Sequence, residues 1–175
     1  VRTDDDFGHL WDPITYEKGQ VLLAMAEQWM GADRMREAMR RYIRRHAWGH
    51  ADMDDLLRAL GEADADVPGM LRSYIHRTGV PQVQVSLQCD DAAAPRLRVR
   101  QSAWRPLTPG GPRADTPGPA ASQWQIPLQV RTPGGLTRFM LQARQDDVPL
   151  PDTTCPAWVQ ANAGGANIVP QVAVR

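Results

Sequence analysis

The distribution of proline most constrains what this chain can fold into. Fifteen prolines occur in 175 residues, yet only Pro13 and Pro68 precede Gly79. Proline inside a helix removes a backbone hydrogen bond and clashes with the preceding turn, so successive helices are expected before Gly79 and not after it. Most of the alternating, valine-rich stretches follow Gly79. We therefore predict two parts, a helical domain over 1–78 and a β domain over 79–175.

The first part is predicted to hold four short helices. Apolar spacing of i, i+3 and i+4 favours a helix over 17–30 that Gly31 ends. A second helix is predicted to run from Asp33, as its N-cap, to His46.

Two further helices follow on short connections. Asp52 is expected to cap the third, with Asp55 completing a capping box and Gly61 at its end. The fourth is predicted over 67–77, with Pro68 in its first turn.

The second part alternates in the manner of strands. Period-two patterns predict strands over 82–89, 97–101, 124–130 and 137–143, separated by turn residues. This pattern is typical of a small antiparallel β-sandwich, which makes the whole chain α+β. The proline- and glycine-rich stretch 105–122 is expected to be a mobile loop.

Composition excludes several classes of function. Twenty basic residues balance twenty acidic ones, so no broad positive field favours nucleic acid or an anionic membrane. No apolar run approaches the roughly 20 residues of a membrane-spanning helix, and 1–6 shows no signal peptide. We expect a soluble chain, cytoplasmic or periplasmic. Cys89 and Cys155 could pair or stay reduced.

Two polar clusters suggest metal binding, but each lacks residues that such a metal site needs. His46 and His50 have the i, i+4 spacing of a zinc-protease helix, but Ala47 stands where that motif needs its glutamate. A group of six acidic residues lacks the arrangement of a calcium loop, and helix capping explains it better. Its members are Asp52, Asp54, Asp55, Glu62, Asp64 and Asp66.

Tyr16 allows two interpretations from the residues alone. Most tyrosines beside a helix N-terminus are packing residues with a hydrogen bond at the tip. A phenol keeps its proton near neutral pH, however, and can donate it in a strong hydrogen bond to a developing oxyanion.

Several stretches together resemble the M1 zinc aminopeptidases, a gluzincin family that includes aminopeptidase N. They are DPITYEKGQVL over 12–22, WMGA over 29–32, HAWG over 46–49, GVPQV over 79–83 and WVQANAGG over 158–165. The segment Tyr16-Glu17-Lys18-Gly19 is the most specific of them. After Gly165 the sequence departs from the family, which continues with Gly-Tyr-Tyr-Arg.

The resemblance implies the C-terminal helical part of a thermolysin-like catalytic domain, followed by a β-sandwich domain. It implies that Tyr16 stabilises the tetrahedral intermediate formed when a zinc-activated water attacks the first peptide bond. Lys18 and Gly19 are assigned to helix-start geometry and packing. The family's zinc-binding HExxH helix, later glutamate and Gly-x-Met-Glu-Asn segment do not occur in this chain, so the isolated chain is expected to be inactive.

The implied partners are peptides with a free N-terminus, the missing catalytic-domain portion and a C-terminal helical domain. Without them, a set of four residues is expected to form an exposed apolar patch that promotes self-association. The set is Val21, Met25, Trp29 and Met35. The alternatives are a non-catalytic interaction module and, more weakly, a nucleic-acid binder built on the basic helix from Arg34 to Arg45.

Overall fold

The computed structural model describes residues 13–77, 79–89, 94–104, 123–164 and 172–174. Within them four helices precede six strands, which confirms the predicted α+β class. The helices are α1 Pro13–Met30, α2 Ala32–Arg45, α3 Met53–Gly61 and α4 Asp66–Ile75. The strands are β1 Pro81–Gln88, β2 Arg96–Ala103, β3 Ile126–Thr132, β4 Gly135–Leu141, β5 Gln145–Pro149 and β6 Val172–Val174.

Helix α1 begins four residues earlier than predicted and ends where predicted. It starts at Pro13, whose fixed φ suits the first helical position and whose missing N–H costs nothing there. At the other end, Gly31 has a φ of 91° and its N–H donates to the carbonyl of Glu27 at 2.7 Å. This conformation favours glycine, so the residue predicted to stop the helix does so.

The prediction that Asp33 caps the second helix is wrong. Helix α2 begins at Ala32, and its N-cap is Gly31, without a side-chain cap hydrogen bond. Asp33 therefore lies inside the first turn, where its carboxylate accepts from Arg36 Nη1 at 2.7 Å. An acid in that turn still interacts favourably with the helix dipole.

The predicted capping box of α3 is confirmed. The Asp52 side chain accepts from the N–H of Asp55 at 2.9 Å, and the Asp55 side chain accepts from the N–H of Asp52 at 3.2 Å. The N–H groups of these two residues would otherwise lack partners at the helix start, and each is thus hydrogen-bonded to the side chain of the other residue.

The chain divides into two compact units, Val1–Pro68 and Gly69–Arg175. The buried apolar residues of the first unit come from all of its helices, as their amphipathic spacing requires. They are Leu22, Met25, Ala26, Met30, Ala38, Leu57, Ala59, Leu60 and Val67.

The second unit contains two sheets. A four-stranded sheet has the order β5-β2-β1-β6, and β3 pairs with β4 in a two-stranded antiparallel sheet. Val85 lies opposite Val99 in the antiparallel β1–β2 ladder. Strand β6 pairs parallel with β1, which departs from the wholly antiparallel prediction. Strand β5 was not predicted because Val148 is its one buried residue, so it shows no alternation.

Gln101 joins the two sheets through buried hydrogen bonds. Its side-chain nitrogen donates to the carbonyls of Trp124 at 2.9 Å and Ala143 at 2.8 Å, and its side-chain oxygen accepts from the Trp124 N–H at 2.8 Å. Because Gln101 lies on β2 while Trp124 precedes β3, this one side chain fixes the two sheets relative to each other.

The boundary between the compact units falls ten residues before the predicted domain division at 78/79, which stays a prediction. The boundary falls within α4 because the second half of that helix is hydrogen-bonded to the segment before β3. There the Ser73 hydroxyl accepts from the Gln125 N–H at 3.0 Å and donates to the Met70 carbonyl at 2.7 Å. This part of the helix therefore belongs with the strands.

The two cysteines, whose pairing the sequence left open, form a disulfide between Cys89 and Cys155 with a Cα–Cα distance of 5.6 Å. The predicted mobile loop over 105–122 lies outside the described residues. So do Asp12 and the stretch after Gly165 where the resemblance ends.

Candidate active-site tyrosine and its surroundings

Tyr16 lies in the first turn of α1, as its place beside a helix start predicted. It is the fourth residue of the helix, and 58% of its surface is exposed. A tyrosine that served only as a packing residue would be expected to bury its ring. The ring of Tyr16 is therefore not packed in the core of the first unit, and its catalytic role stays a prediction.

The exposure of Tyr16 follows from which face of α1 is buried. The helix buries Leu22, Met25, Ala26 and Met30 on one side. Residues at i, i+4, i+7 and i+11 share a face of an α-helix, and the positions so related to Tyr16 are all exposed. They are Gln20, Leu23 and Glu27. Tyr16 therefore heads an exposed stripe along α1, distinct from the residues that the helix buries.

Lys18 and Gly19, which follow Tyr16 in the motif, differ in how they fit the expected packing role. Gly19 is half-buried, but a Cβ built on it would meet no described atom within 4 Å. Crowding among the described residues therefore gives no reason for glycine at this position. Lys18 is half-buried, which fits an aliphatic stem packed along the helix.

The two histidines do not form a metal-binding pair on a helix. His46 is the C-cap of α2, and its Nδ1 lies 3.2 Å from the backbone oxygen of His50. The α2–α3 connection breaks the helical spacing between them. Trp48 within it has a φ of 61°, a left-handed conformation that is rare for a bulky residue.

The acidic cluster is used in caps and ion pairs. Glu62 receives two hydrogen bonds from the guanidinium of Arg45, at 2.9 and 3.2 Å. Asp64 lies 3.5 Å from Arg34 and also accepts from the N–H of Asp66. The hydrogen bond from Arg45 lowers the pKa of Glu62, and the one from the Asp52 N–H lowers the pKa of Asp55. These carboxylates thus stabilise helix ends and helix pairs.

Across the part of the chain that the structure describes, no three histidine, cysteine, aspartate or glutamate side chains are grouped so as to hold a metal ion. The described residues therefore do not fit a zinc site. Nor is any helix in the described ranges long and apolar enough to cross a membrane.

The prediction that four named residues form an exposed apolar patch is wrong, because none of them is exposed. Met25 is only 1% exposed, and Val21, Trp29 and Met35 are half-buried. Among the described residues of the first unit, the exposed large apolar side chains besides Tyr16 are Leu23, Ile43, Trp48 and Met53. Sequence periodicity missed Trp48 because a residue in an irregular connection belongs to no helical face.

Comparison with known proteins shows what this arrangement is similar to. Residues 1–74 match the model of the peptidase family M1 domain. The tricorn protease-interacting factor F2 of Thermoplasma volcanium is 27% identical over 81% of this chain and 16% of its own length. The puromycin-sensitive aminopeptidase of Caenorhabditis elegans is 27% identical over 94% of this chain and 17% of its own.

A probable M1 family aminopeptidase 1 of Encephalitozoon cuniculi is 30% identical over 85% of this chain and 16% of its own length. The similarity to these proteins therefore runs through both compact units, beyond the region that the family model matches. The chain spans about a sixth of the length of these curated relatives.

Proposed function

Because the chain belongs to the M1 peptidase family, we propose that its parent protein is an aminopeptidase in which Tyr16 stabilises the tetrahedral intermediate. The observation that carries the proposal is the exposed position of Tyr16 in the first turn of α1, in the segment most specific to the family. The substrates are peptides with a free N-terminus.

The chemistry of a phenol suits this role. Attack on a peptide carbonyl moves negative charge onto its oxygen, and a donor already aimed at that oxygen stabilises the transition state more than the substrate. Tyrosine keeps its proton at neutral pH and so remains a donor throughout the reaction. Anchored at its buried face, α1 holds the phenol in place without covering it.

Zinc, when bound in the parent, would supply the activated water and polarise the scissile carbonyl. Since the described residues do not fit a zinc site, we propose that the metal ligands and the general base belong to the rest of the catalytic domain. The isolated chain then contributes a donor without a nucleophile, and we expect no aminopeptidase activity from it.

Replacing Tyr16 by phenylalanine in the intact parent tests the assignment. We expect kcat to fall by about 10²–10³-fold, the loss typical of one oxyanion donor, with little change in KM. Phenylalanine keeps the ring, so the circular dichroism spectrum and melting temperature should not change.

Tyr42→Phe is the matched control. Tyr42 lies on α2 with its ring 5.2 Å from that of His46, so losing its hydroxyl should leave kcat within about twofold. An unchanged kcat in Tyr16→Phe, or equal losses in the two variants, would remove Tyr16 from the mechanism.

The second candidate is a non-catalytic interaction module, favoured by the exposed Ile43 and Trp48 in the first unit. The two candidates differ in what the intact parent does to an aminoacyl chromogenic substrate. Hydrolysis that a chelator abolishes and added zinc restores supports the aminopeptidase. A folded parent that binds peptides without cleaving them supports the module.

A further inference from the structure

The Cys89–Cys155 disulfide connects two regions of the second unit that are far apart in sequence. Cys89 directly follows β1, and Cys155 lies in the segment over 150–164 that follows β5, which we call the return segment. Sixty-six positions separate the two residues. Both cysteines are exposed, so a reductant in solution can reach the bond.

The return segment pairs with the edge of β3 that faces away from β4. One edge of β3 pairs with β4. On the other edge, Arg131 and Gln160 exchange backbone hydrogen bonds at 3.0 and 2.9 Å, and the Ala163 N–H donates to the Gln129 carbonyl at 2.8 Å. An uncovered strand edge presents unpaired N–H and C=O groups that can pair with another chain.

The start of the return segment is also attached to the β3–β4 turn. The Asp152 carboxylate accepts from the Thr132 hydroxyl at 2.5 Å and from the Gly134 N–H at 2.8 Å. Cys155 lies between this attachment and the backbone bonds at Gln160 and Ala163. The disulfide therefore ties the middle of the covering segment to the end of β1 in the other sheet.

We propose that the Cys89–Cys155 disulfide is a reducible clamp that keeps the return segment on the edge of β3. In the oxidised chain the edge is covered. A dithiol reductant breaks the S–S bond, supplies two electrons and two protons, and is itself oxidised to a disulfide, leaving Cys89 and Cys155 as thiols. The return segment then leaves β3, and its edge becomes available for pairing.

Hydrogen exchange on the full 175-residue chain, oxidised and then reduced with dithiothreitol, tests this proposal. The amides to follow are those of Arg131, Gln160 and Ala163 at the edge, with Gln84 and Arg100, which lie opposite each other in the β1–β2 ladder, as the internal reference. We expect reduction to speed exchange at the edge about tenfold or more relative to that reference.

Two results would overturn the clamp. One is an edge that exchanges no faster than the reference after reduction. The other is acceleration by the same factor throughout the second unit, which would mean that reduction loosens the whole unit.

The variant Asp152→Ala keeps the test informative if a Cys89→Ser, Cys155→Ser double variant fails to fold. With its disulfide intact, the Asp152→Ala chain should keep slow exchange at Gln160 and Ala163. Rapid exchange at these amides would show that Asp152, and not the disulfide, keeps the return segment on β3.

Discussion

At the scale of single residues, Gln101 has the most concentrated structural role. It is 6% exposed, and its side chain satisfies one N–H and two carbonyl groups between the sheets. We predict that Gln101→Ala lowers the free energy of unfolding by about 3 kcal/mol, because those groups lose their partners inside the protein. Urea unfolding followed by tryptophan fluorescence measures this change.

Gln145→Ala provides the matched control for Gln101→Ala. Gln145 is exposed, and its side chain accepts one hydrogen bond, from Arg100 Nη2 at 2.9 Å. Its loss should change the unfolding free energy by no more than about 0.5 kcal/mol. Similar losses in the two variants would show that the Gln101 side chain does not join the sheets.

Residue-level features were predictable where they depend on local rules. The Asp52–Asp55 capping box and the Gly31 stop follow from the few residues around them, and so does the position of Tyr16 close to a helix start. Asp33 was misassigned because the helix begins at Ala32, two residues before the first helical position that an Asp33 N-cap would give. The partners of Gln101 could not be predicted, since they lie 23 and 42 residues along the chain.

At the scale of elements, α3 depends on its N-cap. We predict that Asp52→Ala destabilises the first unit by about 1 kcal/mol, because Ala cannot accept the hydrogen bond from the Asp55 N–H. Asp52→Asn keeps an acceptor and should recover most of the loss. The melting temperatures of the wild-type chain and the two variants check this, and an Asp52→Ala temperature equal to the wild-type one would mean that the cap contributes nothing.

The ion-paired carboxylates predict how stability depends on pH. Hydrogen bonds lower the pKa of Glu62, through Arg45, and of Asp147, through Arg98. A lowered folded-state pKa means that the unfolded chain binds more protons, so this stabilisation is present above the unfolded values near about 4 and is lost as pH falls through the folded values. The melting temperature should therefore drop below about pH 4.

Glu62→Gln is the control for the acid titration. The amide cannot titrate. Between about pH 5 and about pH 3, the melting temperature of the variant should therefore fall less steeply than that of the wild-type chain. A wild-type chain whose melting temperature stays constant over this range would contradict the predicted role of the carboxylates.

Elements with strong periodicity were predicted closely, and weakly patterned ones were missed. Strand β2 alternates exposed and buried residues, and the first six residues of β1 alternate buried and half-buried ones, as their sequences predict. Strand β6 is three residues long and pairs with β1, and a stretch this short is too brief to show a periodic pattern. The split of α4 between the compact units likewise depends on a long-range bond, from Gln125 to Ser73.

At the scale of the whole molecule, the exposed apolar side chains predict association. Ile43 is 62% exposed, and the Trp48 side chain is fully accessible. We predict that the isolated chain self-associates at micromolar concentration, because such side chains lose unfavourable contact with water when they are covered. Sedimentation velocity of Ile43→Lys, Trp48→Gln should show a shift toward monomer.

Leu136→Lys is the control for association, since Leu136 is also exposed but lies on β4 in the second unit. It should leave the sedimentation profile of the wild-type chain unchanged. A wild-type chain that is monomeric across the concentration range would contradict the prediction.

The central claim is that Tyr16 belongs to an aminopeptidase whose metal site is built by the rest of its catalytic domain. Sequencing the source DNA on both sides of the segment, and translating it in frame with Val1, tests this claim most directly. We predict an upstream HExxH motif, a later glutamate and a Gly-x-Met-Glu-Asn segment. A start codon immediately before Val1, with none of these motifs in frame, would contradict the account and leave a scaffold whose function is binding.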